Sequence, residues 1–232
     1  MAEKFNPLGL ISATRTEFSV LSQLLSENGF KASDSVEKPG LNWVVGKFYG
    51  RQMLLVRGGV GKVNAATSTQ FLIDQFQPQL IVNLGVAGAL NPELKLGGVL
   101  VTDSCQEWDF DLSALYLEAL APILPESALS LSPILSVLAS KVFTGRIITG
   151  DTFLADEKRK SALAKKFSAV AVDMESAAMA KVASLNKIPF LVIKGISDQA
   201  DGLAIVALKK NLITATANSF NILKEILEKE LV

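Results

Sequence analysis

The chain has 232 residues, 49% hydrophobic and 20% charged, with 23 basic against 23 acidic side chains and so no formal net charge. That is enough apolar material for a sizeable core, but it gives no basic footprint for nucleic acid or an anionic membrane surface. A lone Cys105 excludes an internal disulfide framework, the lack of any histidine argues against zinc or haem, and no apolar run approaches a signal peptide or a membrane span, so a cytoplasmic protein without metal or cofactor is expected.

In chain order, residues 8–13 (LGLISA) read as a buried strand. Residues 15–29 read as an amphipathic helix with Phe18, Leu21 and Leu24 or Leu25 on one face. Residues 41–49 and 51–59 predict a hairpin turning at Gly50, and 62–76 a helix. LIVNLGVAG (80–88) is a continuous apolar strand of the kind buried on both faces of a parallel sheet. Strands follow at 97–104 and 145–150, then a helix at 155–167, a strand at 168–172, a helix at 174–186, a strand at 189–196 and a final helix over 204–230. Residues 112–140, rich in Leu, Ala, Ser and Pro, read as one or two short helices on the sheet or against a neighbour. The alternation predicts an α/β fold: one domain over 1–232 with a mixed, mostly parallel sheet flanked by helices on both faces.

Six segments pass from a strand into a polar or glycine-rich turn: SATRTE (12–17), GGVGK (58–62), NLGVAGAL (83–90), TGDTF (149–153), VDMES (172–176) and ISDQAD (196–201). Open α/β sheets bind ligands outside the carboxyl ends of their strands. That crevice would collect Glu17, Phe153, Asp173, Glu175 and Asp198. Each has a plain structural reading as well. Thr14 and Glu17 fit a capping box that glutamine would complete equally well. Asp173 fits an N-cap, Glu175 a helix-start anion, Asp198 a turn residue, and Phe153 an ordinary core side chain. Together, carboxylates and an aromatic platform suit a neutral, hydroxyl-rich ligand carrying a base, which is a nucleoside. Glycosidic cleavage needs one acid to protonate the leaving base and another to orient water. A third, with two acceptor oxygens, would hold vicinal hydroxyls. GGVGKV is no P-loop and NLGVAGAL no dinucleotide fingerprint; their glycines are expected to allow close backbone approach.

GGVGKVNAA (58–66), NLGVAGAL, TGDTF, AVDMESAAMAKVA (171–183) and PFLVIKGISDQAD (189–201) resemble, in order and spacing, the bacterial 5′-methylthioadenosine/S-adenosylhomocysteine nucleosidases of the purine nucleoside phosphorylase superfamily. The resemblance implies hydrolysis of such adenine nucleosides to adenine and a thioribose, in methionine salvage, by a homodimer, for which the apolar 112–140 stretch with Trp108 and Phe110 is a candidate interface. It implies that Glu17 activates water, Asp198 protonates the purine, Glu175 binds the ribose diol and Met174 packs under the ribose. Phe153 would stack on adenine and the Leu154 backbone would read its edge. Asp173, Val86, Ala87, Gly88, Ser197 and Lys194 would also face the substrate. The chain departs from the pattern at Val86, Asp173, Lys194 and Trp108–Asp111, and it lacks a Ser-x-x-Phe lid after Asp201. Alternatives are futalosine or another purine nucleoside as substrate, a phosphorylase, or a non-catalytic nucleoside binder.

Overall fold

In a computed structural model that describes residues 7–38, 41–111 and 129–232, two long buried strands form the centre of the sheet. β5 (Leu80–Ala89) and β10 (Phe190–Asp198) pair in parallel and are buried along almost their whole length, as strands covered on both faces must be. On the other side of β5 lie β1 (Leu8–Ser12) and then β4 (Arg51–Arg57), both parallel. β3 (Leu41–Phe48) and β2 (Lys31–Lys38) extend this side antiparallel to the edge, while β6 (Val99–Thr102) runs antiparallel outside β10. β5 outruns β1, and its last residues, Gly88 and Ala89, pair with β9 (Ala169–Asp173). That strand continues the sheet into β8 (Arg146–Thr149) and β7 (Cys105–Glu107). The carboxyl end of β5, beyond the last residue of β1, is therefore where β10 and β9 meet it.

Side chains alternate across this sheet as the pleat requires. Leu10, Leu55, Val82, Leu191 and Ile193 point to one face, where α1 (Arg15–Glu27), α3 (Ser132–Leu138) and α6 (Ala204–Glu228) bury Leu21, Leu25, Ile134, Phe220 and Leu223. Ile11, Val56, Ile81 and Val192 point to the other, against Ala65 and Leu72 of α2 (Lys62–Phe76) and Met179 and Ala183 of α5 (Ser176–Leu185). α4 (Glu157–Phe167) packs Leu163 and Phe167 beside β9. The expected mixed sheet with helices on both faces is what forms.

Two strands lie outside the expected set. β2 (KASDSVEK) has no apolar alternation because it is an exposed edge strand, joined to β3 through its backbone and lined with charge, as edges commonly are. β7 is only three residues long. The β3–β4 hairpin turns where expected, with Tyr49 at φ 47° and Gly50 at φ 75°, the two positive values that a tight two-residue hairpin turn demands. Of the helical stretch expected over 112–140, α3 forms; residues 112–128 lie outside the described residues. Among the described residues no helix is long and apolar enough to cross a membrane.

Candidate active site

The carboxyl ends of β1, β5, β8, β9 and β10 surround a pocket of about 210 Å³. Four carboxylates line it, from Glu17, Asp173, Glu175 and Asp198, together with Phe153, Leu154, Met174, Val86, Ala87, Gly88 and Ser197. Among the described residues that line it, none is lysine or arginine.

Glu17 combines both of its sequence readings. Its Oε2 accepts from the Thr14 amide at 2.8 Å and the Thr14 hydroxyl at 2.6 Å, while the Glu17 amide donates to Thr14 Oγ1 at 3.1 Å. This capping box starts α1. Oε1 turns the other way and accepts from Val86 N at 3.0 Å across the pocket floor. That approach requires Gly85, where an added Cβ would lie 2.3 Å from Oε1. Gly88 does the same for Asp198, whose Oδ1 would meet a Cβ there at 2.8 Å. The glycines of NLGVAG thus make room for the protein's own acids.

Asp198 reaches the pocket through an irregularity in β10. The register against β5 slips between Ile196 and Asp198, and such a bulge re-aims a side chain. Oδ1 accepts from Ala200 N at 2.9 Å and Oδ2 from the Ser197 hydroxyl at 2.9 Å. The turn reading is thus correct as far as it goes. Burial raises the carboxyl's pKa above the ordinary aspartate value, despite these two donors.

Glu175 stands at the N-cap of α5 without capping it. Its Oε1 accepts from Gly61 N at 2.9 Å, at the head of α2. Burial first, and then the neighbouring Asp173, push its pKa up to about 7. Asp173 supplies the helix-start contacts instead, accepting the amides of Glu175 and Ser176 at 3.3 and 3.2 Å. It also accepts the hydroxyls of Thr149, at 2.6 Å, and Ser176.

Lys194, expected against the substrate, is absent from the pocket lining and is 1% exposed. Its ammonium lies 3.3 Å from Asp173 Oδ2, beneath the floor. Burial opposes that charge, yet Asp173, Glu175 and Glu17 together hold its pKa above the usual lysine value. The strand alternation that seats Ile196 and Val192 in the α2/α5 core seats Lys194 on the same face, so its reading as a contact residue is corrected to an internal counter-ion. Phe153 is no core residue: it is 39% exposed, with its ring at the pocket.

Sequence reasoning missed Val60, Thr152, Val172, Leu208 and Leu212 as lining residues. A signal existed for the last two. Leu203, Ile205, Val206 and Ile213 are exposed around the start of α6, so this part of the helix is apolar on more than its core face. That is unlike a surface helix packed on one side only.

The sequence model of the phosphorylase superfamily matches residues 7–228. A 5′-methylthioadenosine/S-adenosylhomocysteine nucleosidase of Marinomonas sp. (strain MWYL1) is 32% identical, over 95% of this chain and 98% of its own. The S-adenosylhomocysteine nucleosidase of Streptococcus pyogenes, solved in complex with 5-methylthiotubericidin, superimposes with a TM-score of 0.87 at 30% identity, covering 99% of each chain. The futalosine hydrolase of Helicobacter pylori does so at 0.85 and 28%, covering 97% of this chain and 98% of its own. Similarity of this extent, on a pocket formed at the strand ends that carry the shared motifs, places the chain in the phosphorylase superfamily and, within it, in the 5′-methylthioadenosine/S-adenosylhomocysteine nucleosidase family.

Proposed function

We propose that this protein hydrolyses the N-glycosidic bond of 5′-methylthioadenosine and S-adenosylhomocysteine, releasing adenine and the thioribose, and serves methionine salvage as a cytoplasmic homodimer. The observation that carries the reading is the meeting of four buried carboxylates and one exposed aromatic ring around a pocket whose lining, among the described residues, includes no cation. Cleavage develops positive charge on the sugar and negative charge on the departing base. Carboxylates around the ribose stabilise the first, and a carboxylic acid beside the base relieves the second. Asp198, whose carboxyl burial pushes above the ordinary aspartate value, is the acid that passes a proton to the purine ring nitrogen. Glu17 Oε1, fixed by Val86 N, accepts a hydrogen bond from the attacking water. Glu175 receives the two ribose hydroxyls, and the Phe153 ring covers the base.

Water rather than phosphate is favoured as the acceptor by the state of the nearby cations. Lys194 is paired with Asp173 and Lys62 with Asp109. The first two amides at the α2 N-terminus, the usual anion-binding position, already donate to Glu175 and Asp151. Incubating the protein with each nucleoside, with and without phosphate, and measuring free adenine by chromatography tests the proposal. Adenine release independent of phosphate supports it; tight binding with no release would leave a nucleoside-binding protein. Futalosine is the second reading, favoured by the likeness to a futalosine hydrolase, and belongs in the same panel.

A further inference from the structure

Beside the pocket, two loops that carry its key groups are tied together by residues that do not line it. One loop, following β8, carries Phe153 and Leu154. The other, preceding α2, presents the Gly61 amide to Glu175. Lys62 N donates to Asp151 Oδ1 at 2.8 Å, so the second loop grips the first. The Lys62 ammonium reaches Asp109 Oδ1 at 2.7 Å and Glu107 Oε1 at 3.0 Å, and the other Asp109 oxygen accepts from Asp151 N at 2.9 Å. Lys62, Asp109 and Asp151 therefore close a ring in which each residue binds the other two. The Lys62 and Asp109 side chains are only 20% and 23% exposed. Burial opposes both charges, yet the contact between them raises the Lys62 pKa and lowers that of Asp109.

We infer that Lys62, Asp109 and Asp151 are positioning residues: their ring holds the Phe153–Leu154 loop and the Gly61 amide in register, so that the base platform and the Glu175 carboxylate face one ligand. The inference deepens the proposed nucleosidase reading and rests on it. Two carboxylates, from Glu107 and Asp109, share the one ammonium, while that of Asp151 takes the Lys62 amide. Removing that ammonium leaves the Glu107 and Asp109 carboxylates facing one another, and Asp109 also holds the amide of the exposed β8 loop at Asp151. Gly61 occupies the hinge at φ +91°, and a Cβ there would already lie 3.0 Å from Asp151 Oδ1.

The test compares Lys62→Met, Asp151→Ala and Asp151→Asn with the wild type. The measurements are KM and kcat for methylthioadenosine, the inhibition constant of free adenine, the pH dependence of kcat/KM, and thermal melting. Asp151→Ala and Lys62→Met are expected to melt near the wild type while weakening adenine binding and kcat/KM by about tenfold to a hundredfold, since small displacements of positioning groups cost that much. With the Gly61 N–H pulled from Glu175, the acid limb of kcat/KM moves to higher pH. Asp151→Asn still offers an oxygen to Lys62 N and keeps wild-type constants. Wild-type adenine affinity and pH profile in Asp151→Ala, or equal damage from Asp151→Asn, would overturn the ring as a positioning device. Should Lys62→Met not fold, Asp151→Ala, which leaves the Lys62–Asp109 pair in place, decides alone. A wild type that releases no adenine would instead sink the proposed activity. Calorimetric binding of adenine to the wild type and Asp151→Ala then still reads the ring separately.

Discussion

Replacing Glu17 by glutamine separates what the capping box needs from what hydrolysis needs. The carboxylate faces three donors: the Thr14 amide and hydroxyl on Oε2 and the Val86 amide on Oε1. Glutamine has one acceptor oxygen. Whichever way the amide is placed, its NH₂ group must face a backbone N–H, either that of Thr14 or that of Val86. An unsatisfied buried donor costs about 1–3 kcal/mol. For a chain of this size that lowers the melting temperature by roughly 2–12 °C, at about 2–4 °C per kcal/mol. The sequence-based expectation that glutamine would be nearly silent in stability is thereby revised, because Val86 is the donor that no local reading supplies. Turnover is expected to fall by at least about two orders of magnitude as the general base is lost. Adenine release per folded molecule and a thermal melt read the two effects independently. Wild-type turnover in folded Glu17→Gln would refute the role of Glu17 as base, and an unchanged melting temperature would refute the three-donor geometry.

Asp198→Asn is expected to lose about two orders of magnitude in turnover while melting close to the wild type. The Ser197 hydroxyl can rotate to accept from the new NH₂ while the remaining oxygen keeps Ala200 N; unimpaired adenine release would reduce Asp198 to a turn residue. Glu175, at about 7 against an ordinary 4.5, retains in the folded state a proton that the unfolded chain gives up, so its burial destabilises increasingly as pH rises through that interval, by on the order of 3 kcal/mol at the top. Glu175→Gln should therefore gain on the wild type in melting temperature between about pH 5 and about pH 8, and pH curves that run parallel would reject this. The same variant should lose turnover as well as affinity, and 2′-deoxy nucleosides should be poor substrates; a deoxy analogue cleaved as fast as its parent refutes the diol role. Phe153→Ala should raise KM by the loss of about 1–3 kcal/mol of base stacking with little change in stability, because the ring is 39% exposed; an unaltered KM removes it from the base site. Gly85→Ala places a Cβ 2.3 Å from Glu17 Oε1, so activity should fall although the substituted residue bears no reacting group, and full activity would show that Glu17 has freedom to move.

The order of elements was legible in the chain because it is written in local patterns. The apolar run at 80–88 marked β5 and the one opening 189–196 marked β10, helical periodicity marked α1, and Thr14 with Glu17 marked a helix start. β2 was not legible, since an exposed edge strand is held by its neighbour's backbone and carries no burial pattern of its own. The acids of the site were legible as residues at strand ends and through the motif resemblance, but their partners were not. The Val86–Glu17 and Gly61–Glu175 bonds join residues 69 and 114 positions apart, and nothing local encodes such a distance. Tertiary structure alone decided that Lys194 lies beneath Asp173 rather than at the ligand, that Gly85 and Gly88 yield space to carboxylates, and that Lys62 closes a ring with Asp109 and Asp151. Residue type and spacing determine which elements form and where the strands end, because those depend on backbone sterics and local burial. Which oxygen faces which donor depends on how the elements pack, and packing alone sets the burial that shifts the acids' proton affinities.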